Sequence, residues 1–254
     1  MKQIFLALGI LLACATNDML AQTSAKDRLK EIEEMTVNAH KRKMAKRENL
    51  FSADGLSYFY FGFHQVSGQK ELEGKFFQSH EIGLNAFQFG FHPASWVSLE
   101  TGLDLKWDQF ELAKGYAVGM VGDSLKFSDP QALYGHDVEA FNQRIRTFAL
   151  AVPVSLGFHA PWFSVRGGAE FDFNINKYSA IKTNFVTGKT IEVSARDRKP
   201  KVENMLVNYF ASIDFDGLGV YFKYYPKSIF RDGSLAGTDK NDMKYWTIGL
   251  VFGF

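Results

Sequence analysis

Histidine, serine and carboxylate side chains between residues 64 and 108 are the groups in this sequence best suited to acid–base chemistry. His64 and His80 occur near Ser79, Glu81 and Asp108, and a histidine beside such groups is a common proton-transfer pair. The other histidines are His40, His92, His136 and His159. No catalytic sequence motif accompanies any of them. We therefore predict that the protein is not an enzyme, with catalysis through His64 or His80 as the alternative.

Metal ligands do not recur at any recognisable spacing. Asp104, Asp172 and Asp214 would cluster only if the register of separate strands brought them together. The sequence therefore predicts neither a metal site nor a cofactor.

The composition favours a β protein and gives no sign of a strongly charged partner. The formal net charge is +1, which provides no overall field for nucleic acid, and we predict no nucleic-acid partner. Aromatic residues make up 15% of the chain, with 25 Phe and 22 Gly but only 6 Pro. This usage is typical of strands that pack against apolar surroundings.

Residues 1–22 have the features of a secretory signal peptide. Lys2 precedes an apolar run over 4–15, which is too short to span a bilayer as a helix. Cleavage after Ala15 or after Ala21 fits a signal peptidase, whereas 11–14 resembles a lipobox whose Cys14 would carry lipid. We favour the signal peptidase, which removes the one cysteine and leaves no disulfide. No later segment reaches 18 uninterrupted apolar residues, which excludes a helical membrane protein.

A separate basic segment, 23–54, follows the signal peptide. Over 24–50 it lacks Gly and Pro and places Leu29, Ile32 and Met35 at helical spacing before a basic cluster. We predict a short helical arm that is either solvated or in contact with anionic lipid or a partner protein.

From residue 55 onward the hydrophobic period is two, which predicts β-strands. Eight strands are predicted, at 56–65, 81–92, 97–111, 144–158, 163–177, 204–215, 218–226 and 244–254. Their connections alternate between three short turns and four long connections. An antiparallel up-and-down barrel over 55–254 with all short turns at one end satisfies this pattern.

Alternate residues of a strand form two sets, or parities, that point to opposite faces of the sheet. Here one parity is mostly apolar and the other is more polar, and this difference predicts which face points outward. In strand 163–177, Phe171 and Phe173 share one parity while Glu170 and Asp172 share the other. A charge facing lipid at mid-depth would cost about 2–4 kcal/mol, so the polar parity should face the lumen. The predicted lumen network comprises Glu100, Asp104, Lys106, Arg166, Glu170, Asp172, Asp214 and Lys223. The alternative is a secreted soluble barrel of the lipocalin type, with an apolar lumen that carries a ligand.

All four tryptophans, Trp96, Trp107, Trp162 and Trp246, fall near predicted strand ends. Amphipathic rings at both ends of a barrel form the aromatic girdles of transmembrane barrels. We predict that these four residues form such a girdle.

Two positions break the regular pattern. The parity of strand 81–92 shifts between Leu84 and Phe87, which predicts a bulge near Asn85. Pro153 cannot donate a ladder hydrogen bond, so a bulge or local break is required beside it.

The third long connection is predicted to contain a hairpin. A β-prone stretch at 185–187 and another at 190–193 flank Gly188 and Lys189. Basic side chains predominate here, namely Lys182, Lys189, Arg196, Arg198, Lys199 and Lys201. We expect a solvated surface that touches lipid phosphates, or a binding surface for protein or glycan.

The chain ends in KYWTIGLVFGF, where Gly249, Leu250, Phe252 and Phe254 resemble the C-terminal assembly signal of bacterial outer-membrane proteins. With the signal peptide and eight strands, region 55–254 resembles the small outer-membrane β-barrel proteins of the OmpX, OmpA-barrel and PorT-like type, which are common in Bacteroidetes.

The resemblance implies a transmembrane up-and-down antiparallel eight-stranded β-barrel with a short N-terminal periplasmic helix, located in the bacterial outer membrane. It implies a structural or loop-presenting role in binding, adhesion or secretion. The expected partners are outer-membrane lipid, lipopolysaccharide, the barrel assembly machinery and a periplasmic partner of the arm. The alternatives are a lipid-modifying outer-membrane enzyme and the soluble carrier.

Overall fold

The computed structural model describes residue 30 and residues 49–68, 77–111, 117–121, 124–128, 138–185, 190–195, 202–232 and 243–253. The strands are β1 (Phe51–Gly55), β2 (Tyr58–Ser67), β3 (His80–Ala94), β4 (Val97–Glu111), β5 (Ala117–Val121), β6 (Ser124–Ser128), β7 (Val138–His159), β8 (Ser164–Phe185), β9 (Thr190–Ala195), β10 (Met205–Phe215), β11 (Leu218–Tyr225) and β12 (Lys244–Gly253). The signal peptide 1–22 with Cys14, the predicted helix apart from Lys30, and Phe254 lie outside the described residues. No helix in the described part of the chain has the length and apolar character of a membrane-spanning helix.

Eight of the strands close into one antiparallel barrel. Their order is β3, β2, β12, β11, β10, β8, β7 and β4, and β4 pairs back onto β3. The last strand completes the ring, because Tyr245 pairs with Val66 and Gly253 with Tyr58 of the first barrel strand. The predicted all-β, eight-stranded up-and-down fold is confirmed.

Two consecutive strands, β1 and β2, pair with different parts of β3. β1 pairs with β3 from Phe51 opposite Phe91 to Gly55 opposite Phe87, and β2 pairs farther along, with Phe59 opposite Leu84. Between the two strands Leu56 has a φ of 52°, a left-handed conformation that costs a leucine roughly 1–2 kcal/mol. The sheet therefore begins at Phe51, before the boundary at residue 55 that the sequence suggested.

The strands extend beyond their predicted ends at the long connections. β7 and β8 have 22 residues each, longer than the predicted 144–158 and 163–177. β9 pairs with β8, which confirms the predicted hairpin in the third long connection. The β5–β6 hairpin in the second long connection was not predicted.

The strand parities follow the predicted division between lumen and exterior. On β11, Val220 and Phe222 are 48% and 44% exposed, whereas Tyr221 and Lys223 are 5% and 4% exposed. The charged parity thus faces the lumen and the apolar parity faces outward.

Both predicted irregularities occur in adjoining parts of the wall. The β3–β4 register shifts between Asn85 and Phe87, which confirms the bulge. Across β4 and β7 the ladder pairs Thr101 with Val154 and resumes with Asp104 opposite Ala151, so it is interrupted at Pro153. The predicted local break therefore lies on the β4 side of the proline, whereas Pro153 stays paired with Glu170 of β8 on its other side.

The short turns lie at the end of the barrel where β12 also ends, and we call this the short-turn end. In the β10–β11 turn, Asp216 and Gly217 have φ values of 52° and 93°. Two successive left-handed residues of the Asp-Gly type are typical of a type I′ hairpin, which matches the twist of the flanking strands. The opposite rim is the long-connection end.

An apolar cluster closes the lumen toward the long-connection end. Its buried members are Val66, Phe110, Ile145, Val202, Leu206, Tyr225, Ile229, Phe230, Met243 and Tyr245. The segments that follow β9 and β11 contribute residues to this cluster and pair with each other. Val202 and Phe230 form an isolated β-bridge, and the Glu203 N–H donates to the Ile229 carbonyl at 2.8 Å. The polar part of the lumen lies beneath this cap.

Gly249 of the C-terminal motif occupies a crowded inward position. A Cβ at this residue would overlap the Phe61 carbonyl oxygen and lie 2.5 Å from the Gly62 Cα. Both neighbours are backbone atoms of the paired strand, which cannot move aside as a flexible side chain can. The close packing of the barrel wall therefore requires glycine at this position.

Candidate functional site

The centre of the lumen is organised around the ammonium group of Lys106. This side chain is 1% exposed and ion-pairs with Asp172. Its Nζ also donates to the Tyr225 hydroxyl at 2.8 Å and lies 3.6 Å from Asp108 Oδ2 and 3.7 Å from Glu170 Oε1. Because β7 places the small residues Ala149 and Ala151 on the inward face, there is room for these long side chains.

A second ammonium group, that of Lys223, completes the central network. Its Nζ donates to Glu170 Oε1 at 2.9 Å, lies 3.5 Å from Glu81 Oε1, and sits 4.2 Å from the centre of the Tyr60 ring. Asn208 donates to Glu170 at 2.9 Å and to Asp172 at 3.3 Å, which links the two lysine groups. The network therefore connects five strands, β3, β4, β8, β10 and β11.

The central network contains more carboxylates than ammonium groups. Four buried carboxylates, Glu81, Asp108, Glu170 and Asp172, share the two ammonium groups within 4 Å. Buried charges need partners because desolvation costs several kcal/mol for each ion. With all six groups ionised, the network carries an excess of two negative charges.

His64 lies at the edge of this network, beneath the apolar cap. Its Nδ1 is 2.7 Å from Thr247 Oγ1, its Nε2 is 3.2 Å from Asp108 Oδ1, and its ring stacks on Phe110 at 4.6 Å. Glu81 accepts a hydrogen bond from the Tyr221 hydroxyl at 2.7 Å. Three of the five acid–base candidates in the sequence are thus brought together, although His64, Glu81 and Asp108 are at most 6% exposed.

The other two acid–base candidates lie elsewhere. Ser79 Oγ accepts a hydrogen bond from the Glu111 backbone N–H at 2.9 Å. The His80 ring packs 5.9 Å from Phe61. Ser79 contacts His64 through the backbone, where the His64 N–H donates to the Ser79 carbonyl at 2.9 Å, and its hydroxyl is not part of the group formed by His64, Glu81 and Asp108.

A separate polar group occupies the short-turn end of the lumen. Glu100 accepts from Ser98 at 2.7 Å and lies 3.6 Å from Arg166 and 3.4 Å from His159. The Arg166 guanidinium also lies 5.3 Å from the Tyr58 ring centre.

Of the remaining predicted lumen residues, Asp104 lies between the two polar groups. It accepts from Asn85 Nδ2 at 2.6 Å and from the Tyr58 hydroxyl at 3.0 Å. Asp214 lies at the short-turn end, where Ser164 Oγ donates to it at 3.4 Å. Asp104, Asp172 and Asp214 thus belong to three different sets of contacts.

All eight residues predicted for the lumen network point inward and make polar contacts there. Sequence reasoning did not include several of their hydrogen-bond partners, among them Asn85, Asn208 and Tyr225. Their inward parity was the available signal, but an uncharged side chain at such a position is not distinctive by itself.

The tryptophans lie toward the barrel ends. Trp96 and Trp162 sit in short turns and are 59% and 66% exposed. Trp107 and Trp246 lie in the parts of β4 and β12 nearer the long connections, where their rings pack 5.0 Å from Phe148 and 6.0 Å from Phe222.

Comparison with known proteins finds similarity at the level of solved barrel structures. No family model matches the sequence, and no curated protein matches it. The chain is similar to the CymD monoaromatic hydrocarbon channel at 11% identity and a TM-score of 0.29, over 84% of this chain and 69% of that one. It is similar to the outer membrane protease OmpT from Escherichia coli at 10% identity and a TM-score of 0.27, over 80% and 95%. For LpxR from Salmonella typhimurium the identity is 9% and the TM-score 0.25, over 80% and 87%. Likeness this distant leaves the activity of the chain open.

Proposed function

We propose that this chain is a non-enzymatic, integral β-barrel of the bacterial outer membrane, with a closed lumen and long connections that present a binding surface. The observation that carries the proposal is the band of exposed large apolar side chains around the barrel. Its members include Phe89, Leu103, Leu156, Phe173, Val220, Phe222, Ile248 and Leu250, each at least 37% exposed. A monomeric soluble protein rarely exposes a contiguous apolar surface of this extent, whereas a bilayer requires one.

The filled lumen supports a barrel that neither conducts nor carries a large ligand. Eight strands leave an interior that side chains can fill, and here lysines, carboxylates and tyrosines fill it. The cavity bounded by Tyr58, Asp104, Arg166 and Lys223 has a volume of about 50 Å³. Ligand pockets usually have roughly 300–1,000 Å³, so a lipocalin-like carrier is not favoured.

Burial of His64, Glu81 and Asp108 supports a non-enzymatic role. His64 is 2% exposed and stacks beneath Phe110 of the apolar cap. A general base must come within hydrogen-bond reach of its substrate, and a lipid headgroup outside the barrel cannot approach this histidine.

The long connections are the part of the chain that we assign to binding. β8 and β9 extend the wall beyond the cap, and basic residues predominate in that connection. Ammonium and guanidinium groups bind phosphate readily, so lipopolysaccharide is the nearest ligand in our proposal. A structural or secretion-accessory role would use the same surface.

Membrane fractionation combined with heat modifiability tests the proposal. The chain should be recovered with outer membranes after density separation, should be extracted by mild detergent, and should change its gel mobility on boiling because the closed barrel resists detergent. Recovery in the aqueous fraction with the same mobility before and after boiling would contradict the proposal and favour the soluble carrier.

A further inference from the structure

His64, Glu81 and Asp108 form a compact group in the lumen that the proposed function does not use. Each offers one ligand atom, and these atoms all lie within 4.8 Å of one another. The residues are 2%, 0% and 6% exposed. They come from three neighbouring strands, β2, β3 and β4, so the closed sheet fixes their relative positions.

Each of the three side chains has one atom held by a neighbour and another atom without a hydrogen bond. His64 Nδ1 is 2.7 Å from Thr247 Oγ1, and Glu81 Oε1 accepts from Tyr221 at 2.7 Å. Asp108 Oδ2 accepts from Thr147 at 3.4 Å. The atoms left over are His64 Nε2, Glu81 Oε2 and Asp108 Oδ1, all buried and without a hydrogen-bond partner. Each unsatisfied buried polar atom needs an explanation, such as a bound ion or water, and three of the ten in the described residues belong to this group.

The contact between His64 Nε2 and Asp108 Oδ1 has the distance but not the alignment of a hydrogen bond, at 3.2 Å. If the Nδ1–H of His64 donates to Thr247, then Nε2 presents a lone pair toward a carboxylate oxygen. Two acceptors face each other stably only when a proton or a metal cation lies between them, and the poor alignment of this contact favours the metal.

The charge balance of the network points the same way. Four carboxylates surround two ammonium groups, so the network has an excess of two negative charges if all six groups are ionised and His64 is neutral. One divalent cation would balance that excess. Lys106 and Lys223 contact Asp108 Oδ2 and Glu81 Oε1, so they leave the opposite oxygens available.

We propose that His64, Glu81 and Asp108 bind one divalent transition-metal ion in the lumen. One imidazole and two carboxylates suit zinc or manganese, which bind such ligands at about 2.0–2.2 Å. Thr247 and Tyr221 orient the ligands from outside the coordination sphere, as is usual around metal sites. Because the apolar cap covers the site, the metal would enter while the barrel folds and would join β2, β3 and β4.

Metal analysis of the refolded chain tests this site directly. The chain, purified without a histidine tag, is refolded in detergent with zinc, with manganese, or with EDTA, then desalted and measured by mass spectrometry of its metals. We expect about one equivalent of zinc or manganese per chain, and a higher melting temperature for the metal-loaded protein than for the EDTA sample.

Matched variants separate the site from nonspecific binding. His64→Gln and Glu81→Gln should lose the bound metal and the metal-dependent rise in melting temperature, whereas His80→Gln should keep both. A β-type circular dichroism spectrum and a cooperative melting transition of each variant show whether it has folded, and either ligand variant that folds is sufficient for the comparison. The proposal fails if the folded parent chain retains neither metal, or if folded His64→Gln retains as much as the parent. These results do not depend on where the barrel resides, so they are independent of the membrane proposal.

Discussion

Replacing Lys106 with methionine is expected to destabilise the folded barrel by about 3–5 kcal/mol, because it removes one partner of a buried ion network. The ammonium group pairs with Asp172 and lies 3.6 Å from Asp108 and 3.7 Å from Glu170. Methionine has a similar volume but no charge. Glu170 would keep Lys223 as an ammonium partner, whereas Asp108 and Asp172 would lose their ammonium contact. Denaturant unfolding of the lipid-reconstituted barrel in EDTA measures the effect without bound metal.

An exposed ion pair provides the control for that substitution. Arg231 is 46% exposed at its side chain and lies 4.0 Å from Glu203. Arg231→Met should therefore cost less than about 1 kcal/mol, as exposed pairs usually do. In the double variant Lys106→Met with Asp172→Asn, removal of the unpaired carboxylate should restore part of the lost stability. Equal effects of Lys106→Met and Arg231→Met would show that the lumen is hydrated and that the network is not buried.

Replacing Ile248 with arginine is expected to destabilise the barrel in lipid by about 2–4 kcal/mol, because the new charge would lie near the bilayer midplane. Ile248 is 45% exposed on the outer face and pairs with Phe222 and Phe63 in the middle of their strands. On a water-facing surface the same substitution would be close to neutral. Unfolding in vesicles measures the difference.

The matched control places the same charge at the edge of the apolar band. Leu218 is 46% exposed and begins β11 directly after the short turn. Leu218→Arg should cost about 0–1 kcal/mol, because an arginine near the interface reaches the headgroups. If both arginine variants are as stable as the parent, the outer face does not contact lipid.

The wall of the barrel was predictable from the sequence because the alternation of apolar and polar residues within each strand shows which side chains face outward. Period-two alternation identified all eight barrel strands, and the shift between Leu84 and Phe87 identified the bulge. β1 was missed because Phe51 to Gly55 is short and mostly small or polar, and because its junction with β2 depends on a left-handed leucine. The β5–β6 hairpin was missed although Gly122-Asp123, a two-residue hairpin signal, separates its two strands in the sequence.

The sequence predicted which residues face the lumen, but it did not predict which of them contact one another. His64 and Thr247 are 183 positions apart, and Lys106 and Asp172 are 66 apart. Which inward residues meet depends on the register of every intervening strand pair, including shifts such as that between Phe148 and Ala149. A single such shift moves side chains along the wall, so strand patterns alone cannot identify the group formed by His64, Glu81 and Asp108.

The apolar side chains of the barrel wall should face lipid, and nitroxide accessibility measures this directly. With Cys14, the chain's one cysteine, replaced by serine, single labels are introduced through Phe222→Cys, Ile248→Cys and Asp216→Cys. In reconstituted vesicles, labels 222 and 248 should be reached by oxygen but not by a water-soluble nickel complex. Label 216, in the exposed short turn, should show the opposite. Access of the nickel complex to all three labels would contradict this orientation and place the apolar face in water.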